Sequence, residues 1–197
     1  MKGEKIMAPN KKFSKEQIVD IAFEIARVEG IDSISIRKVA EKLGSSIAPI
    51  YVNFKNVDEL INAVIKKIIN LSQQLIEEQN TGDRFYDIGV ASIKFAKKYN
   101  VLFTDLVLKR NSYIKSYGGE IDPIFINEMK KDSEFCNFTE EELKDILLKM
   151  KIFQAGLSVM VANNLLPEEF DQVKALELLK NNAKDIITAA HTYKKEL

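Results

Sequence analysis

The feature that most constrains the fold is a pair of short helical segments within residues 36–54, separated by Gly44. Apolar residues at helical spacing give the first segment one buried face, and Ser35 is placed to cap its N-terminus. Gly44 follows the last apolar residue of that face, where a chain leaves a helix through a positive φ that glycine adopts most easily. Ser46 is predicted to cap a second helix that begins at Ile47. The sequence thus predicts two helices joined by a tight turn.

The second helix of this pair has one face for packing and one face left outward. Ile50 and Phe54 are spaced to pack it back against the first helix. The outward face is short and is followed by Lys55, an arrangement that suits the major groove of DNA with phosphate groups beside it. The residues predicted to face outward are Ile47, Ala48, Tyr51, Val52 and Asn53.

A set of residues in and after this pair carries a family resemblance. It comprises Ala40, Leu43, Gly44, Ser46, Ile50, Tyr51, Phe54, Lys55, Asn56, Glu59 and Leu60. With this register, and with a long capped helix directly after it, the region from Phe13 to about Val64 resembles the N-terminal domain of the TetR family of transcriptional regulators. Ser45 and Ile47 depart from the commoner family pattern, at positions that bear on which bases are read.

The resemblance implies which groups would hold the DNA backbone. It assigns phosphate contacts to Tyr51 and Lys55, and a further one to Asn53. Arg37 and Lys38, at the start of the first helix of the pair, are also placed to reach phosphates. The alternative is that these two cations lie on a solvated helix face and that Tyr51 only packs beside its neighbours.

Base reading would depend on a different set of groups. Ile47 and Ala48 have no polar side chain, so any reading by them would rest on thymine methyl groups and on DNA shape. Ser46 has a hydroxyl group, which capping of the second helix could consume. The candidate DNA-binding residues are Arg37, Lys38, Ser46, Ile47, Ala48, Tyr51, Asn53 and Lys55.

The chain is neutral overall, with 29 Lys and Arg against 29 Asp and Glu, but its charge is unevenly distributed. Residues 1–57 carry 10 basic against 7 acidic residues, which leaves 19 against 22 for residues 58–197. A mildly positive N-terminal part suits an anionic partner at that end. We therefore predict a DNA-binding domain over residues 1–57 and a second domain over residues 58–197. A Lys-rich arm at residues 1–12 is either a solvated tail or a minor-groove contact.

The predicted fold class is all-α, with an N-terminal three-helix domain followed by a larger helical domain. Ser14 with Gln17, and Thr139 with Glu142, form capping boxes at two helix starts. No stretch shows the alternation typical of β-strands. We predict helices from Ser14 to Gly30, from Asn56 to about Gln79, over Phe85 to Tyr99, over Val101 to Lys109, from Asp122, from Thr139 and from about Asp171, with a loop over Asn111 to Glu120.

The second domain is rich in aromatic and Met residues, and Gln154 lies inside an apolar stripe. The family resemblance implies that such a domain binds a small-molecule effector, and these side chains would line its site. A plain hydrophobic core explains most of them equally well. The candidate effector residues are Phe95, Tyr99, Phe103, Tyr117, Phe125, Met129, Phe153 and Gln154.

The helix that starts at Thr139 carries two apolar stripes. The second stripe is rich in small residues, which suits close packing against another helix in the same chain or across a twofold axis. In the family that the chain resembles, the last two long helices pair with their symmetry mates as a four-helix bundle. The alternative is that both helices belong to the core of a single chain. The candidate interface residues are Ala155, Gly156, Val159, Ile186 and Ala190.

The sequence offers little for catalysis or metal binding. One Cys and one His, Cys136 and His191, exclude an intrachain disulfide and cannot supply a usual structural zinc site. The glycines form no phosphate-binding loop, and no nucleophile can be paired with His191 from the sequence. We expect no enzymatic activity and no cofactor. No apolar run approaches about 18 residues and no signal peptide begins the sequence, so we expect a cytoplasmic protein.

These patterns and the resemblance predict a homodimeric, sequence-specific DNA-binding transcriptional regulator of repressor type. A small apolar effector would release it from a near-palindromic operator. The alternative is a helical enzyme or ligand carrier whose helix-turn-helix is a protein-binding surface. Affinity for duplex DNA, and its decrease with rising salt, distinguishes the two.

Overall fold

The computed structural model describes residues 13–109, 123, 125–127, 129–131 and 133–195. Within these residues all regular structure is helical, as the sequence predicted. Short 3-10 turns lie at Ile31–Ser33 and Ser133–Phe135, and a π-helical turn lies at Thr104–Leu108. The helices are α1 (Lys15–Glu29), α2 (Ile36–Leu43), α3 (Ala48–Asn53), α4 (Val57–Glu77), α5 (Arg84–Lys98), α6 (Asn100–Phe103), α7 (Glu140–Ala162) and α8 (Gln172–Lys195).

The chain divides into two compact units, the first ending at Ile68 and the second beginning at Ile69. Helix α4 runs through this division without a break. The sequence prediction ended the DNA-binding domain at residue 57, and the contacts assign the first half of α4 to the same unit as the helices before it. Leu60 and Val64 in that half are fully buried.

The helix ends of the first unit follow the predicted local signals. The amide of Gln17 donates to Ser14 Oγ (3.1 Å) while that of Ser14 donates to Gln17 Oε1 (2.9 Å), which completes the predicted capping box. The amide of Lys38 donates to Ser35 Oγ at 3.2 Å, so Ser35 caps α2 as predicted. Gly30 ends α1 with φ of 93°. These bonds fix the starts and ends of the helices that carry the candidate site.

In the second unit, α5 packs against α7 and α8, and α7 packs against α8. Ile93, Leu157 and Leu179 form part of one buried cluster between these helices. Helices α5 and α8 approach closely at Gly89, because a Cβ there would collide with the Leu179 side chain unless that side chain moved. The sequence analysis had not singled out this glycine.

Several predicted elements differ in detail or cannot be compared. The short helix predicted over Val101–Lys109 begins at Asn100 and ends in the π-helical turn. The amide of Glu59 donates to Asn56 Oδ1 (2.9 Å), so Asn56 caps the start of α4. The Glu59 carboxylate accepts from the amide of Lys55 (2.8 Å). The predicted arm, loop and proline-led helix start lie outside the described residues, at residues 1–12, 111–120 and 122.

No helix within the described ranges is both long and apolar enough to cross a membrane.

The start of α7 is linked to the end of α8 by an ion pair. Thr139 and Glu142 form the predicted capping box, and the Glu142 carboxylate also accepts from Lys194 Nζ at 2.7 Å. These hydrogen bonds, with Lys194 first, lower the pKa of Glu142 to about 2. Because the folded pKa lies below the ordinary value of 4.5, this contribution to stability is present above about pH 4.5 and is lost as the pH falls towards 2.

We predict that Glu142→Gln lowers the Tm at neutral pH, because the variant loses the charge that pairs with Lys194. The difference from the wild type should shrink between pH 4.5 and pH 2, which thermal unfolding followed by circular dichroism measures. Glu141→Gln is the matched control, since Glu141 is an exposed residue of the same helical turn. A Tm difference that does not change with pH would contradict the ion-pair explanation.

Candidate DNA-binding surface and effector cavity

The turn between α2 and α3 is set by Gly44. This residue adopts the left-handed conformation, with φ of 61° and ψ of 39°, as the sequence predicted. The amide of Gly44 donates to Glu41 O (2.9 Å) and that of Ser45 donates to Ala40 O (3.0 Å), which satisfies carbonyl groups at the end of α2. The chain therefore leaves α2 sharply and enters α3 within a few residues.

The start of α3 differs from the prediction. The helix begins at Ala48, with Ile47 at the cap position and no side-chain capping bond, so Ser46 does not cap it. Ile47 has φ of −71° and ψ of −19°, whereas a capping residue usually has extended backbone angles that bring its oxygen to the first amides. Pro49 lies in the first turn, where an amide donor would have no intrahelical partner. The Ser46 hydroxyl is thus not consumed by α3.

Two buried side chains fix the orientation of α3. Ile50 and Phe54 are 0% and 1% exposed, which turns the opposite side of the helix towards solvent. The solvent-facing side chains include Ile47, Tyr51 and Val52, at 45%, 52% and 85% exposure. Residues four positions apart lie next to one another on a helix, so these side chains form one continuous surface with Ala48. We call residues 47, 48, 51 and 52 the α3 face.

The predicted phosphate-contacting groups fall into two kinds. Arg37 and Lys55 are exposed, and neither forms an ion pair with another described residue. Lys38 instead forms an ion pair with the Glu29 carboxylate at the end of α1. Asn53 uses its amide nitrogen to donate to Pro49 O at 3.0 Å and to Phe13 O at 3.4 Å. A phosphate contact by Lys38 or Asn53 would therefore have to replace an existing interaction.

The second unit contains a cavity of about 820 Å³. Of the residues predicted to hold an effector, five line it: Phe103, Phe125, Met129, Phe153 and Gln154. Two others, Phe95 and Tyr99, are not part of its lining and pack against each other with ring centroids 5.2 Å apart. Tyr117 lies outside the described residues.

Some lining residues were missed by the sequence reasoning. Helix α5 contributes Phe85, Ile88 and Ser92, which share one helical face. That stripe was visible in the sequence, and polar Ser92 inside it was the available signal. Charged side chains also line the cavity, namely Asp83, Glu134, Lys151 and Lys180. The cavity thus combines mostly aromatic and aliphatic walls with several polar groups, as small-molecule sites commonly do.

The predicted interface residues are placed in three different ways. Ile186 and Ala190 pack against a buried cluster of their own chain. Ala155 and Val159 are partly buried, and Ala155 lines the cavity. Gly156 is exposed, and a Cβ built there would meet no atom of the described chain within 4 Å. The predicted close packing at Gly156 is therefore not made by the residues that the structure describes.

The surface around Gly156 is nevertheless apolar. Leu148, Ile152 and Met160 are 55%, 64% and 39% exposed, and they lie at four- and eight-residue steps along α7. Gly156 falls in the same line. An exposed apolar stripe of this kind on a long helix is unusual unless another surface covers it.

Part of the sequence is similar to known repressors. A stretch of 62 residues is 34% identical to the nicotine-responsive repressor HdnoR of Paenarthrobacter nicotinovorans, and this stretch covers 32% of this chain and 30% of that protein. A stretch of 58 residues is 33% identical to the class D tetracycline repressor of Escherichia coli, covering 29% of this chain and 27% of that protein. The chain thus matches less than a third of the length of either relative. No protein-family model matches the chain.

The whole fold has a counterpart among solved structures. A TetR-family transcriptional regulator from Streptomyces coelicolor superimposes with a TM-score of 0.66 at 13% identity, over 96% of this chain and 86% of that one. The chain therefore shares its all-α fold with a TetR-family regulator, and its local similarity to two repressors agrees with the resemblance seen in the sequence.

We predict that Gly44→Ala lowers the free energy of unfolding by about 1–2 kcal/mol, because an L-residue is strained at this left-handed position. Urea denaturation measures the change. Gly44→Asn is the matched comparison: asparagine adopts the left-handed conformation more readily than alanine, so it should lower the free energy of unfolding by less. Equal effects of the two substitutions would contradict the role of the turn conformation.

Proposed function

We propose that this protein is a sequence-specific DNA-binding transcriptional regulator of repressor type. The observation that carries the proposal is the α3 face, held outward by the burial of Ile50 and Phe54. Arg37 precedes this face and Lys55 follows it, and both are exposed. In this arrangement the cations would hold phosphate groups while the helix reads base edges in the major groove. The sequence similarity to two repressors supports the proposal.

The direct test is binding to duplex DNA that flanks the gene of this protein. Fluorescence anisotropy should detect an affinity that falls linearly with salt concentration on logarithmic axes, because bound cations release counterions from the duplex. A helical enzyme or carrier with a protein-binding helix-turn-helix would not bind. Absence of binding at low salt would therefore favour that alternative.

We predict that Lys55→Ala weakens binding to all duplex sequences by a similar factor. A phosphate contact carries no base information, so the slope of affinity against salt should become shallower by about one unit per chain, or about two units for the proposed dimer. Lys184→Ala is the matched control, since Lys184 is an exposed lysine of α8 in the other unit. Anisotropy titrations at several salt concentrations measure both variants, and an unchanged slope for Lys55→Ala would exclude this contact.

We further propose that the protein binds DNA as a homodimer through the apolar stripe of α7. Each chain has one helix-turn-helix, so a near-palindromic operator needs two chains, with half-site centres about 34–36 Å apart or at a multiple of that distance. The exposed Leu148 and Ile152, with open space at Gly156, would allow a second helix to approach. Sedimentation of the protein at micromolar concentration tests this assembly, and a folded monomer would refute it.

The effector proposal rests on the cavity in the second unit. Its volume of about 820 Å³ lies within the range of ordinary small-molecule sites, and most of its walls are apolar. We propose that a small, largely apolar effector binds there and lowers the affinity for DNA. Helix α4 begins in the first unit and ends in the second, and its continuity supports this proposal.

We predict reciprocal coupling between the two ligands. An effector found by thermal-shift screening of small apolar compounds should weaken DNA binding by about 5- to 150-fold, and DNA should weaken effector binding by the same factor. Ala183→Phe would fill part of the cavity and should remove the response to the compound while DNA affinity is retained. Thr188→Phe, at an exposed position of the same helix, is the control. A compound that fills the cavity without changing DNA affinity would contradict gating.

A further inference from the structure

The most exposed large apolar side chain on α3 belongs to Val52. It is 85% exposed, compared with 45% for Ile47 on the same face. Val52 lies one helical turn after Ala48, which is also exposed, so the two side chains are neighbours. Val52 gains almost nothing from the fold, because burial of apolar surface is what stabilises such a residue. Its position opposite the buried Ile50 leaves it available to an external partner.

The polar groups around Val52 are few. Asn53, the one amide side chain of α3, donates to the carbonyl groups of Pro49 and Phe13. Ser45, in the preceding turn, donates its hydroxyl hydrogen to Ser46 O at 2.9 Å. The α3 face itself contributes a single hydrogen-bonding side chain, the phenol of Tyr51. A face of this composition is poorly suited to the bidentate hydrogen bonds that distinguish guanine or adenine.

We propose that Val52, with Ile47 and Ala48 beside it, reads the C5-methyl groups of thymine in the major groove. This inference rests on the proposed DNA-binding function and specifies what that surface recognises. Thymine is the one standard base that presents a methyl group in the major groove, and an aliphatic side chain is its natural contact. The exposed cations Arg37 and Lys55, which precede and follow this face in the sequence, favour DNA over an apolar protein as the partner. Apart from the Ser46 hydroxyl just before the helix, base selection by the α3 face therefore depends on apolar contact.

The test removes the methyl groups from the DNA and leaves the protein intact. Selection from a random duplex library gives the preferred half-site, and each thymine in it is then replaced by deoxyuridine, which differs only in lacking the methyl. Each contacted methyl should cost about fourfold in Kd, the equivalent of one buried methyl group. Thymines outside the contacted positions should show no change.

A double-mutant cycle identifies the side chain that makes the contact. Val52→Ala should weaken binding to the thymine duplex and should abolish the deoxyuridine penalty at one position of the half-site. Val28→Ala is the matched control, because Val28 is another highly exposed valine, 61% exposed, on α1. It should change neither the affinity nor the penalty.

Three outcomes would overturn the inference while leaving DNA binding in place: a preferred half-site without thymine, deoxyuridine duplexes that bind as tightly as thymine duplexes, or an equal deoxyuridine penalty in Val52→Ala and the wild type. If no duplex binds even at low salt, the proposed function itself fails and this inference fails with it. A penalty that disappears only in Val52→Ala supports the assignment of Val52.

Discussion

Burial of Ile50 and Phe54 is the constraint on which the candidate DNA-binding surface depends. Helix α3 has only six residues, so two anchors are enough to fix its rotation about its own axis. Lys15 Nζ lies 5.0 Å from the centre of the Phe54 ring, which adds a cation–π contact from α1. The same rotation that buries these two side chains exposes Val52 to solvent. The face of this helix that stabilises the fold is thus opposite the face that we propose reads DNA.

Two lysines of the first unit form exposed ion pairs with carboxylates of α1. Lys38 pairs with Glu29 and Lys67 pairs with Asp20, and both pairs lie at the surface. Exposed pairs of this kind contribute about 0–1 kcal/mol each, so a phosphate group could displace Glu29 from Lys38 at small cost. Arg37 and Lys55 need no such exchange. Among the described residues of the free protein, Lys38 and Lys67 are thus in ion pairs, whereas Arg37 and Lys55 are not.

The second unit shows how similar side chains serve a core and a cavity. Phe95 and Phe85 lie on the same helix, but Phe95 packs beside Tyr99 while Phe85 lines the cavity. The role of each phenylalanine depends on which other helix packs beside it. Close contact between α5 and α8 at Gly89 brings Leu179 to the cavity wall. The cavity is thus a product of helix packing rather than of a local motif.

The sequence by itself determined the helices, their caps and the turn at Gly44, because these depend on bonds between residues three or four positions apart. It also carried the family resemblance, since the helix-turn-helix is one continuous stretch. Tertiary structure decided that Lys38 pairs with Glu29 and that Asn53 donates to Phe13 O. It also decided that the close helix approach is at Gly89 and not at Gly156 among the described residues. Each of these joins elements whose relative position is set by packing, and no local pattern records that position. The start of α3 is the exception: it is local, yet the helical backbone angles of Ile47, rather than a side-chain cap at Ser46, define it.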